Sequence, residues 1–309
     1  MDILKSIYKL DQCVAETLLS RLYTAQNIKD ESNIYVVAFK DDFLNDALIK
    51  KLIKTLEQLE FISHPNLLKI VDYHYDGDLF YVMYEFDENL MALDVYLKNQ
   101  VKLNTSFVRY ILTQVLDSLL YLSNKKYVYA NLCLDSIYLT KDSTVKLLSP
   151  QLTAIILADN LGTLPIIEES VFLAPEYLIQ RSILPSMDIY SFGVLMYFLY
   201  SGKWPYKPHQ SLIDCKKEHS KPYKELLLHN SKIPKNVNLF VSKCLNKKPQ
   251  IRFQSIKELY DGFHQSTDFL FKDPSSDLIY DDSLGELQES IKLDKKHNRF
   301  KFLKSLNIV

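Results

Sequence analysis

The chain has 309 residues, 47% of them hydrophobic, which suits one two-lobed domain better than two independent ones. Its net charge of -1 gives no global pull toward nucleic acid or an anionic membrane, so neither is expected as a partner. Cys13, Cys133, Cys215 and Cys244 lie too far apart for a zinc or redox pair, no basic-then-apolar leader opens the chain, and the longest apolar run, near Val194–Tyr200, is too short to cross a bilayer. The expectation is a soluble protein of the cytoplasm, with the nucleus left open.

In chain order, Ile34–Phe39 is β-branched and aromatic and predicts a strand. Leu44, Leu48, Leu52, Leu56 and Leu59 recur every three to four residues, the apolar stripe of one helix, and His64-Pro65-Asn66 closes it. Leu67–Tyr73 and Leu79–Glu85 predict a hairpin around Asp76-Gly77-Asp78. Val108, Ile111, Leu112, Val115, Leu116 and Leu119 form a second helical stripe, capped by Asn104 or Thr105. Asp188–Ser201 is apolar all round, the mark of a helix buried on every side. Val237–Leu245 and Ser255–Phe263 complete the helical half. There are no repeats and no low-complexity linker.

Five short motifs occur in one order. They are Tyr35-Val36-Val37-Ala38-Phe39-Lys40, Ala174-Pro175-Glu176, Asp188-Ile189-Tyr190-Ser191-Phe192-Gly193, Gly202-Lys203-Trp204-Pro205-Tyr206, and Leu245–Phe253 around Pro249 and Arg252. Each alone is a weak signal, but together, correctly spaced, they resemble the protein kinase superfamily over about residues 8–263. The resemblance implies an α+β, bilobal protein-kinase-like fold. Its small β-rich lobe with one long helix spans about residues 8–86, and the larger helical lobe about 90–263.

The same resemblance shows what is replaced. Kinase catalysis needs a phosphate cradle, a lysine, metal-binding groups and a base. Aligned on Leu22-Tyr23-Thr24-Ala25, the glycine positions of the cradle hold Ala15, Thr17 and Ser20, and no glycine precedes Gly77. Glu16 would repel a triphosphate. Lys40 matches the phosphate-pairing lysine, and Lys40 and Ala38 stand as vestigial nucleotide contacts. Lys40's glutamate partner is replaced by Thr55, so it is expected to lack its usual clamp; a snorkelling surface lysine is the plainer alternative. Tyr129-Ala130-Asn131 replaces His-Arg-Asp, so an amide stands for the base. Cys133 replaces the loop lysine, Ser136 the metal-binding asparagine and Ser149 the metal aspartate. Asp135 falls on the neighbouring glutamate position. No carboxylate remains for a hard cation. Tyr138 replaces a smaller residue beneath adenine.

Structural positions are retained by contrast: Glu176 and Arg252 correspond to a buried ion pair, and Asp188 to the residue that holds the catalytic-loop backbone. With Ala130 in place of arginine, switching by an activation-segment phosphate is not expected. The segment Ser149–Glu176 carries Leu152, Ile155, Ile156, Leu157, Leu161, Leu164, Ile166 and Ile167, so it either packs on the lobes or forms a contact surface. Beyond the resemblance, residues 264–309 form a tail, acidic over Asp273–Glu289 and basic over Lys292–Lys304. It is either a solvated tail with a terminal helix or a docking element.

The expectation is a catalytically inactive kinase-like protein, not an enzyme, that acts as a protein-binding scaffold or allosteric regulator of partners such as an active kinase or its substrate, with no cofactor and doubtful ATP binding. Two alternatives stand beside it: an atypical kinase with weak ATP-dependent transfer, and a nucleotide binder without transfer.

Overall fold

The computed structural model describes residues 7–75, 79–87, 90–98, 102–160, 168–207, 212–229, 231, 233–267 and 277–279. Five strands make an antiparallel sheet: β1 (Tyr8–Glu16), β2 (Ser20–Asn27), β3 (Asn33–Phe39), β4 (Ile70–Tyr75) and β5 (Phe80–Glu85), in the order β1-β2-β3-β5-β4. Leu22 lies opposite Val37 and Val37 opposite Val82. These residues, with Tyr35, Phe39 and Tyr84, pack on Leu48, Ile49, Leu52 and Leu56 of α1 (Asp46–Leu59). Because side chains alternate along a strand, Ile34, Val36 and Ala38 turn to the other face and join Ala25, Tyr81 and Met83 in a separate cluster.

The Asn45 side chain accepts the Leu48 amide at 2.9 Å and starts α1, so Leu44 lies just outside the helix while still packing on the same core. The first arm of the hairpin begins later than the sequence suggests. Leu67 makes an isolated parallel bridge to Leu147, and Leu147 donates its amide to the Asn66 carbonyl at 2.9 Å. The buried Asn66 amide group reaches Gln114 and the Val145 carbonyl, both at 2.9 Å, fastening the small lobe to the large one. The hairpin tip at 76–78 lies outside the described residues.

The large lobe opens with β6 (Met91–Ala92), α2 (Leu93–Lys98), β7 (Lys102–Asn104) and α3 (Thr105–Asn124). Next come β8 (Ile137–Leu139) and β9 (Val145–Leu147), which with β6 form a three-stranded sheet in the order β6-β8-β9. The helices α4 (Leu152–Asn160), α5 (Pro175–Gln180), α6 (Pro185–Ser201), α7 (Leu212–Ser220), α8 (Lys235–Cys244) and α9 (Ile256–Thr267) follow. In α6 every residue from Met187 to Tyr200 is buried, so its uniform apolarity reflects a helix enclosed on all sides. Gly202, at φ 68°, ends it in the left-handed conformation that glycine adopts without a Cβ penalty. Within α6, Gly193 lets α8 approach: a Cβ there would sit 2.5 Å from Cys244 Cβ.

Helix α9 continues to Thr267, past the expected end of the body at 263. In the tail, β10 (Asp277–Ile279) pairs antiparallel with β7, so the described part of the tail folds back on the large lobe. The expected terminal helix at 292–304 lies outside the described residues.

Candidate functional site

Between the lobes, the inner face of the sheet meets Tyr138 on β8 and the apolar side of α4. Leu19, Leu22, Val37, Tyr138, Leu152, Ile155 and Ile156 belong to one buried cluster. Tyr138 is 1% exposed, filling the space beneath the sheet. Burial also holds its phenol well above the ordinary range, so it stays neutral.

The catalytic-loop backbone is held from below. The Asp188 carboxylate accepts the amides of Tyr129 and Ala130, both at 2.7 Å, and Ala130 takes a left-handed φ of 54°. Burial pushes Asp188 up to about 7, while the two amides act in the opposite direction. Asn131 follows, half-buried. Ser136 is buried, and its hydroxyl bridges within its own turn, accepting the Cys133 amide at 3.1 Å and donating to the Cys133 carbonyl at 2.9 Å. Ser149 is buried too, 2.6 Å from the Tyr84 hydroxyl, which burial pushes up to about 12. Both serine oxygens are neutral and already hydrogen-bonded, and the described residues contain no cluster of His, Cys, Asp and Glu suited to a metal ion. Neither serine offers the carboxylate oxygen that a magnesium ion favours, so a metal held here would lean on the phosphates of a bound nucleotide.

The strand register and an ion pair place the two expected nucleotide contacts. Ala38 sits on the face of β3 away from Leu22, Val37 and Tyr138. Lys40 follows the last residue of β3. Its ammonium lies 3.0 Å from Glu16 and donates to the Thr17 carbonyl at 2.8 Å. The lysine therefore has a clamp, supplied by the hairpin instead of by α1. Arg21 reaches the same Glu16 oxygen at 3.1 Å. Burial raises the Glu16 carboxyl, but hydrogen bonds and charge from Lys40 and Arg21 outweigh this and hold it below the usual range. Thr55 points into the small-lobe core side of α1 and donates its hydroxyl to the Lys51 carbonyl at 2.9 Å.

The turn standing where a phosphate cradle would lie is closed on itself. Thr17 Oγ1 accepts the amides of Leu19 and Ser20 at 3.3 and 3.1 Å, and the Thr17 amide donates to the Ser20 carbonyl at 2.9 Å. A cradle presents outward amides; this turn presents Leu19, 3% exposed, to the interior.

The activation segment settles between its two alternatives where it is described. It forms α4, which buries Leu152, Ala154, Ile155 and Ile156. Asn45 reaches Asp159 at 3.1 Å, Asn160 donates to the Phe43 carbonyl at 2.9 Å, and Tyr177 to the Ala154 carbonyl at 2.6 Å. Residues 161–167 lie outside the described part. The i, i+3, i+4 spacing of Leu152, Ile155 and Ile156 was the overlooked helical signal. The sequence reading also missed Lys146, which shares a face with its cross-strand partner Tyr138 and pairs with Asp87 at 2.7 Å.

Glu176 and Arg252 meet in a two-pronged ion pair at 2.7 and 2.9 Å, with side chains 7% and 0% exposed. Ser186 donates to Glu176 at 2.7 Å, and Arg252 also donates to the Asn246 and Ser186 carbonyls at 2.7 and 2.9 Å. The pair ties α5 to the loop before α9.

The model of the protein kinase domain family matches residues 20–262. A probable serine/threonine-protein kinase of Clostridium acetobutylicum is 24% identical over 267 residues, covering 84% of this chain and 40% of that protein. One of Clostridium perfringens is 23% identical over 278 residues, covering 88% and 39%. Serine/threonine-protein kinase PrkC of Bacillus subtilis is 18% identical over 254 residues, covering 82% and 39%. The chain thus spans about two fifths of the length of these relatives. These matches correct the expectation of an inactive scaffold that is not an enzyme: the relatives are named as serine/threonine-protein kinases, and they favour the alternative of an atypical kinase.

Proposed function

Since the chain belongs to the protein kinase domain family, we propose that it is an atypical serine/threonine protein kinase with weak ATP-dependent phosphotransfer to protein substrates. The observation that supports this most is the catalytic-loop backbone, held by two short hydrogen bonds to Asp188. Phosphoryl transfer runs through a loose transition state that rewards positioning more than a strong base. An amide at Asn131 then slows the reaction, by about 10²–10⁴, without abolishing it. A nucleotide enters when Leu19 and α4 part from Tyr138, which adds a conformational cost to each turnover. We take residues 8–263 as the catalytic body and 264–309 as its tail, acting in the cytoplasm or the nucleus; no described helix is long and apolar enough to cross a membrane.

Nucleotide binding without transfer is the second reading, favoured by the neutral oxygens of Ser136 and Ser149. The test is incorporation of labelled phosphate by the full chain with Mg²⁺- or Mn²⁺-ATP and generic protein substrates. The expected result is label above the no-protein control, rising by about 10²–10⁴ in Asn131→Asp as a base is restored. A thermal shift with ATP but no label in either protein supports the second reading. Neither label nor shift overturns both.

A further inference from the structure

The described part of the tail lies on one particular edge. Asp277, Leu278 and Ile279 stand opposite Asn104, Leu103 and Lys102 in an antiparallel ladder. The edge is firmly anchored, since Leu103 is 3% exposed within the large-lobe core and α3 starts at the next residue but one. The tail departs close by. Buried Arg109, one turn into α3, donates its Nε to Thr267 Oγ1 at 2.8 Å, where α9 ends. The nine residues 268–276 reach about 30 Å when extended, ample for the return.

Charge in the sequence matches this placement. Lys98 and Lys102 lie just before and on the edge, whereas residues 273–289 contain Asp273, Asp277, Asp281, Asp282, Glu286 and Glu289 and no basic residue. An exposed strand edge recruits an extended segment through main-chain hydrogen bonds, with charge selecting which segment. A three-residue ladder is marginal alone, and its covalent connection to α9 raises the segment's effective concentration at the edge.

We propose that the Lys102–Asn104 edge is a peptide-docking site for an extended segment of acidic and aliphatic residues, occupied in this chain by its own residues 277–279.

The test uses the full chain, with Leu278→Pro and Ile279→Pro as variants; their adjacent positions ensure that one of them removes an amide aimed at the ladder. Hydrogen exchange over 102–104 is followed by mass spectrometry, and a fluorescent peptide of residues 273–284 is titrated against each protein. Exchange at 102–104 is expected to rise about tenfold or more in at least one variant. That variant should bind the peptide at least about tenfold more tightly than the parent, whose edge is already filled. Unchanged exchange in both variants, or peptide binding no better than that of a scrambled sequence, overturns the proposal.

Discussion

Replacing Arg252 by alanine strikes a densely bonded, buried charge. The guanidinium is fully buried, makes two bonds to Glu176 and two to backbone carbonyls, and lies 4.9 Å over the Tyr190 ring. Its loss leaves Glu176, 7% exposed, with the Ser186 hydroxyl, and takes a donor from the Asn246 and Ser186 carbonyls. Breaking such a pair from one side costs about 3–5 kcal/mol, because the remaining charge is stranded away from water. For a body of this size that corresponds to a melting-temperature loss of roughly 6–20 °C. Denaturant titration, with the slope compared between proteins, separates lost stability from a changed denatured state. Glu176→Gln in the Arg252→Ala background removes the stranded charge and should recover part of the loss. A variant within about 1 kcal/mol of the parent would refute the reasoning, since a cost that small belongs to a solvent-screened pair.

Lys40→Ala removes the bond to the Thr17 carbonyl and the ion pair with a 41%-exposed Glu16 side chain, so its cost should stay near about 1 kcal/mol in the same titration, and a much larger loss would place the lysine deeper in function or packing. Tyr138→Ala should cost about 3–5 kcal/mol through the cavity it leaves, yet enlarge the thermal shift with ATP; a smaller shift than the parent's would mean that the ring does not block the cleft. Gly193→Ala, whose new Cβ meets Cys244 Cβ at 2.5 Å, should destabilise by about 1–3 kcal/mol or more, and a neutral result would show that α6 and α8 separate easily. Asp188, at about 7 when folded against an ordinary 3.8, holds its proton more tightly in the folded state. Its contribution to stability is therefore full below about pH 4 and declines as pH rises toward 7. The melting temperature of the parent minus that of Asp188→Asn should fall across this window, and a constant difference would count against the raised value.

Ordered motifs and periodic apolar residues were enough to read the two-lobed plan, the all-round burial of α6 and the residues that became the Glu176–Arg252 pair. Those features follow from local spacing: an apolar stripe dictates a helix face, and a spaced charge pair needs a partner once its motifs are buried. The site was less legible. Motif matching names Ala38 and Lys40 as nucleotide contacts, but a strand sends neighbouring residues to opposite faces, and only the pairing of Leu22 with Val37 shows which residues share the face that meets Tyr138. The spacing from His64-Pro65 puts Thr55 where a glutamate would clamp Lys40 and so predicts no clamp, yet Glu16 supplies one, brought close by the β1–β2 turn. Likewise, Leu152, Ile155 and Ile156 could specify a helix, but not that it would pack between the lobes. The tail composition could specify an acidic segment, but not the edge it joins. Partners distant in sequence are chosen by which apolar surfaces and unpaired backbone edges the finished lobes leave to be covered, and that is set only when the lobes come together.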